Sequence, residues 1–548
     1  MTRSRLLAAV LGVLSALLTV TGGVAADAVT DLASPCSALA SVSFSDIPDA
    51  PTRVIESKSI EQSTDLPSAC QVSAYVAPSV GFLLILPTKW NGKLLQVGCG
   101  GFCGQAVPSN CAPSVRRGYA CVTSDNGHRS TFADALWAYN NPQAEIDHAY
   151  AGMHVTTLAS KAIVQRYYGR AAARSYFMGL STGGRLAMIA AQRFPWDFDG
   201  IIAGVPSLSV TGIHMNLLWG NRAIHDETGH PLFTQADLEV LHRRVVSRCD
   251  LHDGIADGLI GDPRACAFDP SEVRCTRDVR KECLTETQVD AARKIYAGAT
   301  TSKGEPIYMP GALRGSEHTW LDWFGKMFTS NPRAVYDFVQ EEFRYSAFRI
   351  DPGPSWKPEH FDFDRDYKRF GIADALIDAV NPDLRRFKAA GAKLIAFAGW
   401  SDAAGMPLHA VDYYQTAERV MGGRALTQDF FRLFTIPGME HGLGKGADAV
   451  DWLSHLEAWV ENGEPPDRLV GFHIRTEDLD SGSPDYYQTL SRRAEFPLDP
   501  AMIEFSRPIY PYPVTTRYLG HGDPKDAANF GPVEPSAADV LYSRSGSD

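Results

Sequence analysis

Seven short runs of apolar, β-prone residues punctuate the chain: Phe82–Leu86, Leu94–Val97, Tyr119–Thr123, Ser175–Met178, Ile201–Ala203, Leu394–Ala398 and Phe431–Ile436. Short continuous apolar runs are what strands buried on both faces require. Helical spacing fills several of the gaps between them. It is clearest from Ile146 to Tyr168, ending at Gly169, and from near Asp448 to Gly463, where Val450, Leu453, Leu456 and Trp459 recur. Strands alternating with helices predict an α/β fold on a mostly parallel sheet. The alternation lapses between about 206 and 384. That stretch reads as a subdomain inserted after Ile201–Ala203, placed to cover a site as a lid. Its aromatics, among them Trp320, Trp323, Phe324, Phe328, Tyr336 and Phe338, are expected mainly in its own core.

The N-terminus changes the picture of where the protein works. Arg3 and Arg5 precede the apolar run Leu6–Val20, and Val24-Ala25-Ala26 resembles a signal-peptidase site. The run is short and has no stop-transfer flank, which favours cleavage over anchoring. The expected organisation is a signal peptide (1–26), a first part of the main domain (27–205), the inserted lid (206–384) and a second part of the main domain (385–548). Cleavage would remove two arginines and no acid, moving the formal charge from −12 to −14. Such acidity argues against nucleic acid or an anionic membrane as partner. The exported context and ten cysteines predict disulfides. Proximity suggests the pairs Cys36–Cys70, Cys249–Cys266 and Cys275–Cys283. Cys99, Cys103, Cys111 and Cys121 allow three connectivities, and nothing local chooses among them. A zinc site at Cys99 and Cys103 would need a second ligand pair, and none has suitable spacing.

Candidate chemistry begins at Gly179-Leu-Ser-Thr-Gly183. A G-x-S-x-G match alone is weak. Here it follows an apolar strand pattern, Arg174–Met178, and precedes Leu186, Ile189 and Ala190 at helical spacing, as a nucleophile elbow at Ser181 requires. A serine hydroxyl needs a base, and the base needs an orienting carboxylate. Asp402 follows the strand pattern Leu394–Ala398, and His441 follows Phe431–Ile436. The order Ser, Asp, His is that of α/β-hydrolases. Taken singly, Asp402 could cap a helix and His441 could be a loop histidine; three strand ends in the right order are a stronger signal. An oxyanion needs donors, expected from the Thr182 amide and from the glycine loop Val97–Gly104, with Gly101 favoured over Gly100.

The stretch Cys249-DLHDGIADGLIGD-Asp262 concentrates carboxylates that repel unless solvated or shared by a cation. Calcium suits such a loop. Asp250, Asp253 and Asp257 are the expected side-chain ligands, with carbonyls of Ile255 and Leu259 between them. The loop lacks the terminal glutamate of an EF-hand, and a structural role fits it better than catalysis.

Together these residues resemble the tannase and feruloyl esterase family, from about Cys36 to Asn529. The strongest stretches are Ser124-DNGH-His128, Tyr176-FMGLSTGGR-Arg185, Phe194-PWDFDGIIAGVPS-Ser207, the aspartate loop, and Arg507-PIYPYP-Pro513 with Tyr518. The resemblance implies an α/β-hydrolase with a calcium-binding lid, cleaving esters of aromatic acids such as gallate and ferulate. The family also includes mono(2-hydroxyethyl) terephthalate hydrolase. The resemblance supports Ser181, Asp402 and His441 as a triad, and Asp250, Asp253, Ile255, Asp257 and Leu259 around calcium. One departure stands out. A disulfide between the residue before the nucleophile and the residue after the histidine would fall at Leu180 and Gly442. Another would fall at Tyr510 and Pro532. Both halves of each are absent, which puts the rigidity of the His441 loop in question.

The resulting expectation is a secreted serine esterase of the feruloyl esterase type, with tannase or terephthalate monoester hydrolase as alternatives within the class. Arg314, Arg333, Arg344 and Arg349 are available for a substrate carboxylate, although surface ion pairs are the commoner use of such residues. A peptidase would use the same triad. A different reading is a calcium-stabilised exported binding protein on a silent hydrolase fold, which a fluorophosphonate probe for an activated serine would separate.

Overall fold

The computed structural model describes residues 35–64, 66–277, 281–325, 338–405, 407–475 and 495–534. The expected signal peptide, Phe328, Tyr336 and Arg333 lie outside the described residues. Nine strands form one sheet: β1 (Thr52–Ile60), β2 (Ala69–Val76), β3 (Val80–Pro87), β4 (Lys93–Val97), β5 (Ala120–Ser124), β6 (Arg174–Leu180), β7 (Gly200–Gly204), β8 (Lys393–Gly399) and β9 (Phe431–Ile436). Their spatial order is β1-β2-β3-β5-β4-β6-β7-β8-β9. The pairs from β5–β4 through β8–β9 are parallel. β1, β2, β3 and β5 are joined by antiparallel pairing.

The continuous apolar runs have a direct cause. Phe177, Ile201 and Leu394 point to one face, against Leu186 and Ile189 of helix Thr182–Arg193 and Leu408 and Val411 of helix Pro407–Val420. Their neighbours Tyr176, Ile202 and Ile395 point to the other, against Leu453, Leu456 and Trp459. Helices cover both faces, so neither set of alternating positions can be polar. All seven expected strands form. β1 and β2 escaped the pattern because they lie at the sheet's margin; half of β1 is exposed and its sequence mixes polar and apolar positions. Two small hairpin sheets were also missed: β10 (Leu469–Ile474) with β11 (Ile503–Ile509), and β12 (Thr515–Tyr518) with β13 (Phe530–Val533). They are short and carry His473, Arg507 and Arg517 among their apolar positions.

The long helical pattern from Ile146 is broken near its start. A π-helical turn, Asp147–Ala151, leads into helix Gly152–Tyr168, which ends at left-handed Gly169. The pattern from Asp448 becomes regular helix only at Trp452, where the Asp451 carboxylate accepts from the Ser454 amide.

The chain leaves the sheet after β7 and re-enters it at β8. The residues between build a separate hydrophobic core around Trp320, Phe324, Phe343 and Phe361. The main carriers of that core are helices Val210–Ile224, Gln235–Cys249 and Glu286–Ala297. Disulfides join Cys36–Cys70, Cys249–Cys266 and Cys275–Cys283. The undecided four pair as Cys99–Cys103 and Cys111–Cys121. No helix among the described residues is long and apolar enough to cross a membrane.

Candidate active site

Ser181 occupies the turn between β6 and helix Thr182–Arg193 with φ 58° and ψ −118°, a conformation that side chains rarely adopt. The surroundings enforce it. The Ser181 amide donates to the Gly204 carbonyl at 3.0 Å, and the Ser181 carbonyl accepts from the Arg185 amide at 2.9 Å. The turn closes so tightly that a Cβ on Gly179 would run into the Gly183 backbone. A strained strand-to-helix turn of this kind pushes the serine hydroxyl outward at the end of the sheet.

β8 and β9 carry the other two residues. Asp402 follows β8 and is 2 % exposed. Its Oδ1 accepts from the Ala404 and Gly405 amides at 2.8 and 2.7 Å, and its Oδ2 lies 2.8 Å from His441 Nδ1. His441 follows β9 and reaches, with Ser181, a cleft of about 500 Å³. Gly101 and Thr182 line the same cleft. The Thr182 hydroxyl donates to the Gly101 carbonyl at 2.7 Å, which ties the two proposed oxyanion donors together. Among the described residues neither backbone amide donates to another protein group. The Cys99–Cys103 disulfide spans this loop, a brace that cysteine spacing alone did not single out.

The order of strands, the strained serine and the buried Asp–His pair make comparison with known proteins informative. The family model for tannase and feruloyl esterase matches residues 63–533. The chain belongs to the tannase and feruloyl esterase family. A mono(2-hydroxyethyl) terephthalate hydrolase from Piscinibacter sakaiensis is 32 % identical over 540 residues, covering 86 % of this chain and 85 % of that protein. A probable feruloyl esterase B-2 from Aspergillus flavus is 31 % identical, covering 73 % of this chain and 79 % of that protein. The crystal structure of feruloyl esterase B from Aspergillus oryzae superposes with a TM-score of 0.74 at 24 % identity, covering 91 % of this chain and 99 % of that one. At that identity the likeness speaks for the fold.

Against that family background, the missing bridge at Leu180 and Gly442 is replaced by other contacts. Leu180 packs with the apolar residues of the sheet's second face. The His441 loop is knit by hydrogen bonds from the Glu440 amide to the Leu443 carbonyl at 2.7 Å and from the Ser401 amide to the Met439 carbonyl at 2.9 Å. Gly399 lies so close beneath it that a Cβ there would strike the Met439 and Glu440 carbonyls. The insertion also grips the loop, through His318 Nε2 at 2.8 Å from Glu440 Oε1. Pro532, one half of the other missing bridge, sits in β13 opposite Thr516.

The aspartate loop is partly assembled. Asp250 is buried and accepts from the Asp257 and Gly258 amides at 3.3 and 3.0 Å. Asp253 Oδ1 accepts from the Ile255 amide at 3.3 Å, and Asp257 Oδ1 from the Leu259 amide at 3.1 Å. Asp257 Oδ2 pairs with Arg507 at 2.6 Å. Burial and then the neighbouring Asp257 push the Asp253 carboxyl up to about 7, and burial raises Asp250 as well. All available donors are hard oxygens, and the crowding of the carboxylates is what a divalent cation would relieve. Among the described residues no group of three or more His, Cys, Asp or Glu side chains converges closely enough to hold a metal by itself.

Several cleft residues were beyond sequence reasoning. Trp323 packs against the insertion's core, as expected, and also meets the His441 ring edge-to-face at 5.2 Å. Phe102, His214 and Phe338 also line the cleft. No local pattern marks them, because they reach it from separate segments. Of the arginines, Arg314 donates to the Phe268 carbonyl and Arg344 pairs with Glu341 at 3.1 Å. Arg349 lines a second cavity, of about 810 Å³, behind Phe102 and His148. None of these three lines the cleft shared by Ser181 and His441.

Proposed function

We propose that the protein is a secreted serine esterase that hydrolyses esters of aromatic acids, with Ser181, His441 and Asp402 as its catalytic triad. The enzyme class, carboxylic ester hydrolase, follows from the family. The observation that carries the mechanism is the placement of Ser181 and His441 on one cleft, with His441 Nδ1 bonded to a buried Asp402. Ser181 Oγ attacks the ester carbonyl carbon while His441 Nε2 takes the hydroxyl proton. The Thr182 and Gly101 amides hold the oxyanion that develops. The C–O bond to the alcohol then breaks, and His441 returns the proton to the leaving oxygen. Water, losing a proton to His441, attacks the acyl-enzyme, and the acid departs as Ser181 is reprotonated. Asp402 fixes the ring and stabilises the imidazolium.

The insertion acts in this reading as a lid, since His214, Trp323 and Phe338 bring aromatic surface to the cleft. Calcium would be held by Asp250, Asp253 and Asp257 with carbonyls of Ile255 and Leu259. It would neutralise their charge and fasten the loop in the lid. Five disulfides suit an oxidising compartment and support secretion.

The test is hydrolysis of methyl ferulate, methyl gallate and a terephthalate monoester by wild type and Ser181→Ala. Turnover of at least one by wild type, abolished in the variant, is expected, and the preferred ester names the subclass. A fully active variant, or a folded wild type inert toward all three, would overturn the reading.

A further inference from the structure

The loop that carries His441 has no disulfide to the serine turn, since Leu180 and Gly442 stand at the two positions. One segment of the insertion meets that loop and its neighbour from outside the sheet. A Cβ on Gly315 would lie 3.7 Å from Ser401 Oγ, next to Asp402 in the chain. His318 Nε2 lies 2.8 Å from Glu440 Oε1, and the Trp323 ring meets that of His441. Glu440 directly precedes His441. Neither His318 nor Glu440 lines the cleft shared by Ser181 and His441.

An exposed pair of mobile side chains contributes little, because both must be ordered to form it. This contact is different. Both side chains are mostly covered, at 16 % and 17 % exposure. His318 is also fixed independently of Glu440. Its carbonyl accepts from Gln235 Nε2 at 3.1 Å, and its ring lies 4.4 Å from that of His242. The preceding residue, Glu317, is fully buried. Its carboxylate accepts from the Tyr296 hydroxyl at 2.7 Å and the Gly315 amide at 2.8 Å, and lies 2.9 Å from His242 Nδ1. Gln235 and His242 belong to helix Gln235–Cys249 and Tyr296 to helix Glu286–Ala297, so two core helices of the insertion hold the turn that presents His318. The direction of the hydrogen bond follows from its surroundings. A carboxylate only accepts, so Nε2 donates. His318 Nδ1 is sealed without a partner among the described residues, and a proton there would be a buried donor with no acceptor. The ring therefore carries its proton on Nε2 and donates it to a charged acceptor, which makes one of the stronger kinds of hydrogen bond.

We propose that His318 and Glu440 are positioning residues for catalysis: their hydrogen bond fastens the His441 loop to the insertion and keeps His441 Nε2 where it can take the Ser181 proton. The assignment rests on the triad reading given above. It gives the insertion a part in aiming the base as well as in covering the cleft. A base moved out of hydrogen-bonding reach loses rate, while the groups that bind the substrate stay in place.

The test uses the full chain and the best substrate among methyl ferulate, methyl gallate and a terephthalate monoester. His318→Phe keeps a ring against His242 and removes the donor; Glu440→Ala removes the acceptor. Each should lower kcat about tenfold and leave KM within about twofold of wild type. The double variant should be no slower than the slower single one, because one contact can be lost only once. Glu440→Gln, which keeps an oxygen for His318 Nε2, should recover most of the loss. Fluorophosphonate labelling supplies a readout that a purely structural role would not move: the fraction of protein labelled should match wild type while the labelling rate falls with kcat. Single variants within about threefold of wild type, or losses that multiply in the double variant, overturn the proposal alone. So does Glu440→Gln no faster than Glu440→Ala, or a loss of kcat matched by an equal loss of labelled fraction. Should His318→Phe fail to fold, Glu440→Ala against Glu440→Gln still decides. A wild type inert toward all three esters, or a fully active Ser181→Ala, overturns the proposal together with the triad reading beneath it.

Discussion

Replacing Asp402 by asparagine tests the Asp–His pair with almost no change in shape. Oδ1 of Asp402 accepts from two backbone amides, those of Ala404 and Gly405. An asparagine must place its carbonyl oxygen there, because an NH₂ group would face two N–H donors. Its NH₂ then occupies the position of Oδ2, 2.8 Å from His441 Nδ1. Facing a donor, Nδ1 has to become the acceptor, and the ring proton moves to Nε2. A ring protonated at Nε2 cannot take the Ser181 proton. In Ser-His-Asp hydrolases this wrong tautomer lowers kcat by ~10,000-fold. That corresponds to about 5.4 kcal/mol of activation free energy. Two measurements are needed: steady-state kcat on the best ester, and the rate of fluorophosphonate labelling. Both should fall together while KM and the melting temperature change little. Activity within tenfold of wild type would refute the reasoning, since Asp402 would then not be setting the tautomer.

Three further outcomes are expected. Gly399→Ala forces a Cβ against the Met439 and Glu440 carbonyls, so kinetics should show kcat at least tenfold lower; an unchanged kcat would mean the His441 loop tolerates displacement. Chelating calcium should lower the melting temperature, and added calcium at a hundred times its dissociation constant should restore about 2.7 kcal/mol; a melting temperature blind to both would remove calcium from the aspartate loop. Burial raises Glu342 from 4.5 to about 7, so the native state keeps a proton that the unfolded chain releases. Its stabilising contribution is whole below 4.5 and is lost as pH rises to 7. The stability of wild type relative to Glu342→Gln should therefore decline across that window, by at most about 1.4 kcal/mol per pH unit. Parallel urea-unfolding curves for the two at pH 5 and 8 would contradict this.

Local signals carried much of the plan. A strand buried on both faces has no polar side, so β3 to β9 announced themselves as apolar runs, and catalytic candidates followed as polar residues in the loops just past three strand ends. The family resemblance reinforced the same residues. What local pattern left unread shares one physical cause, which is that it depends on distant segments meeting. β4 lies between β5 and β6 only through pairing across the sheet. Cys99 takes Cys103 rather than Cys111 or Cys121 because the glycine loop folds back on itself. β1 and the strands β10 to β13 are short or half-exposed, so packing rather than periodicity defines them. Trp323 packs against the insertion's core, and only the tertiary fold also sets it edge-to-face with His441. His318 and Glu440 stand more than a hundred residues apart, and nothing near either foretells that the two side chains will meet. The sequence by itself determined which residues can do the chemistry and in what order they follow the strands. Only the tertiary structure decided which side chains line the cleft, because burial and facing geometry arise when the insertion closes over the sheet's C-terminal edge.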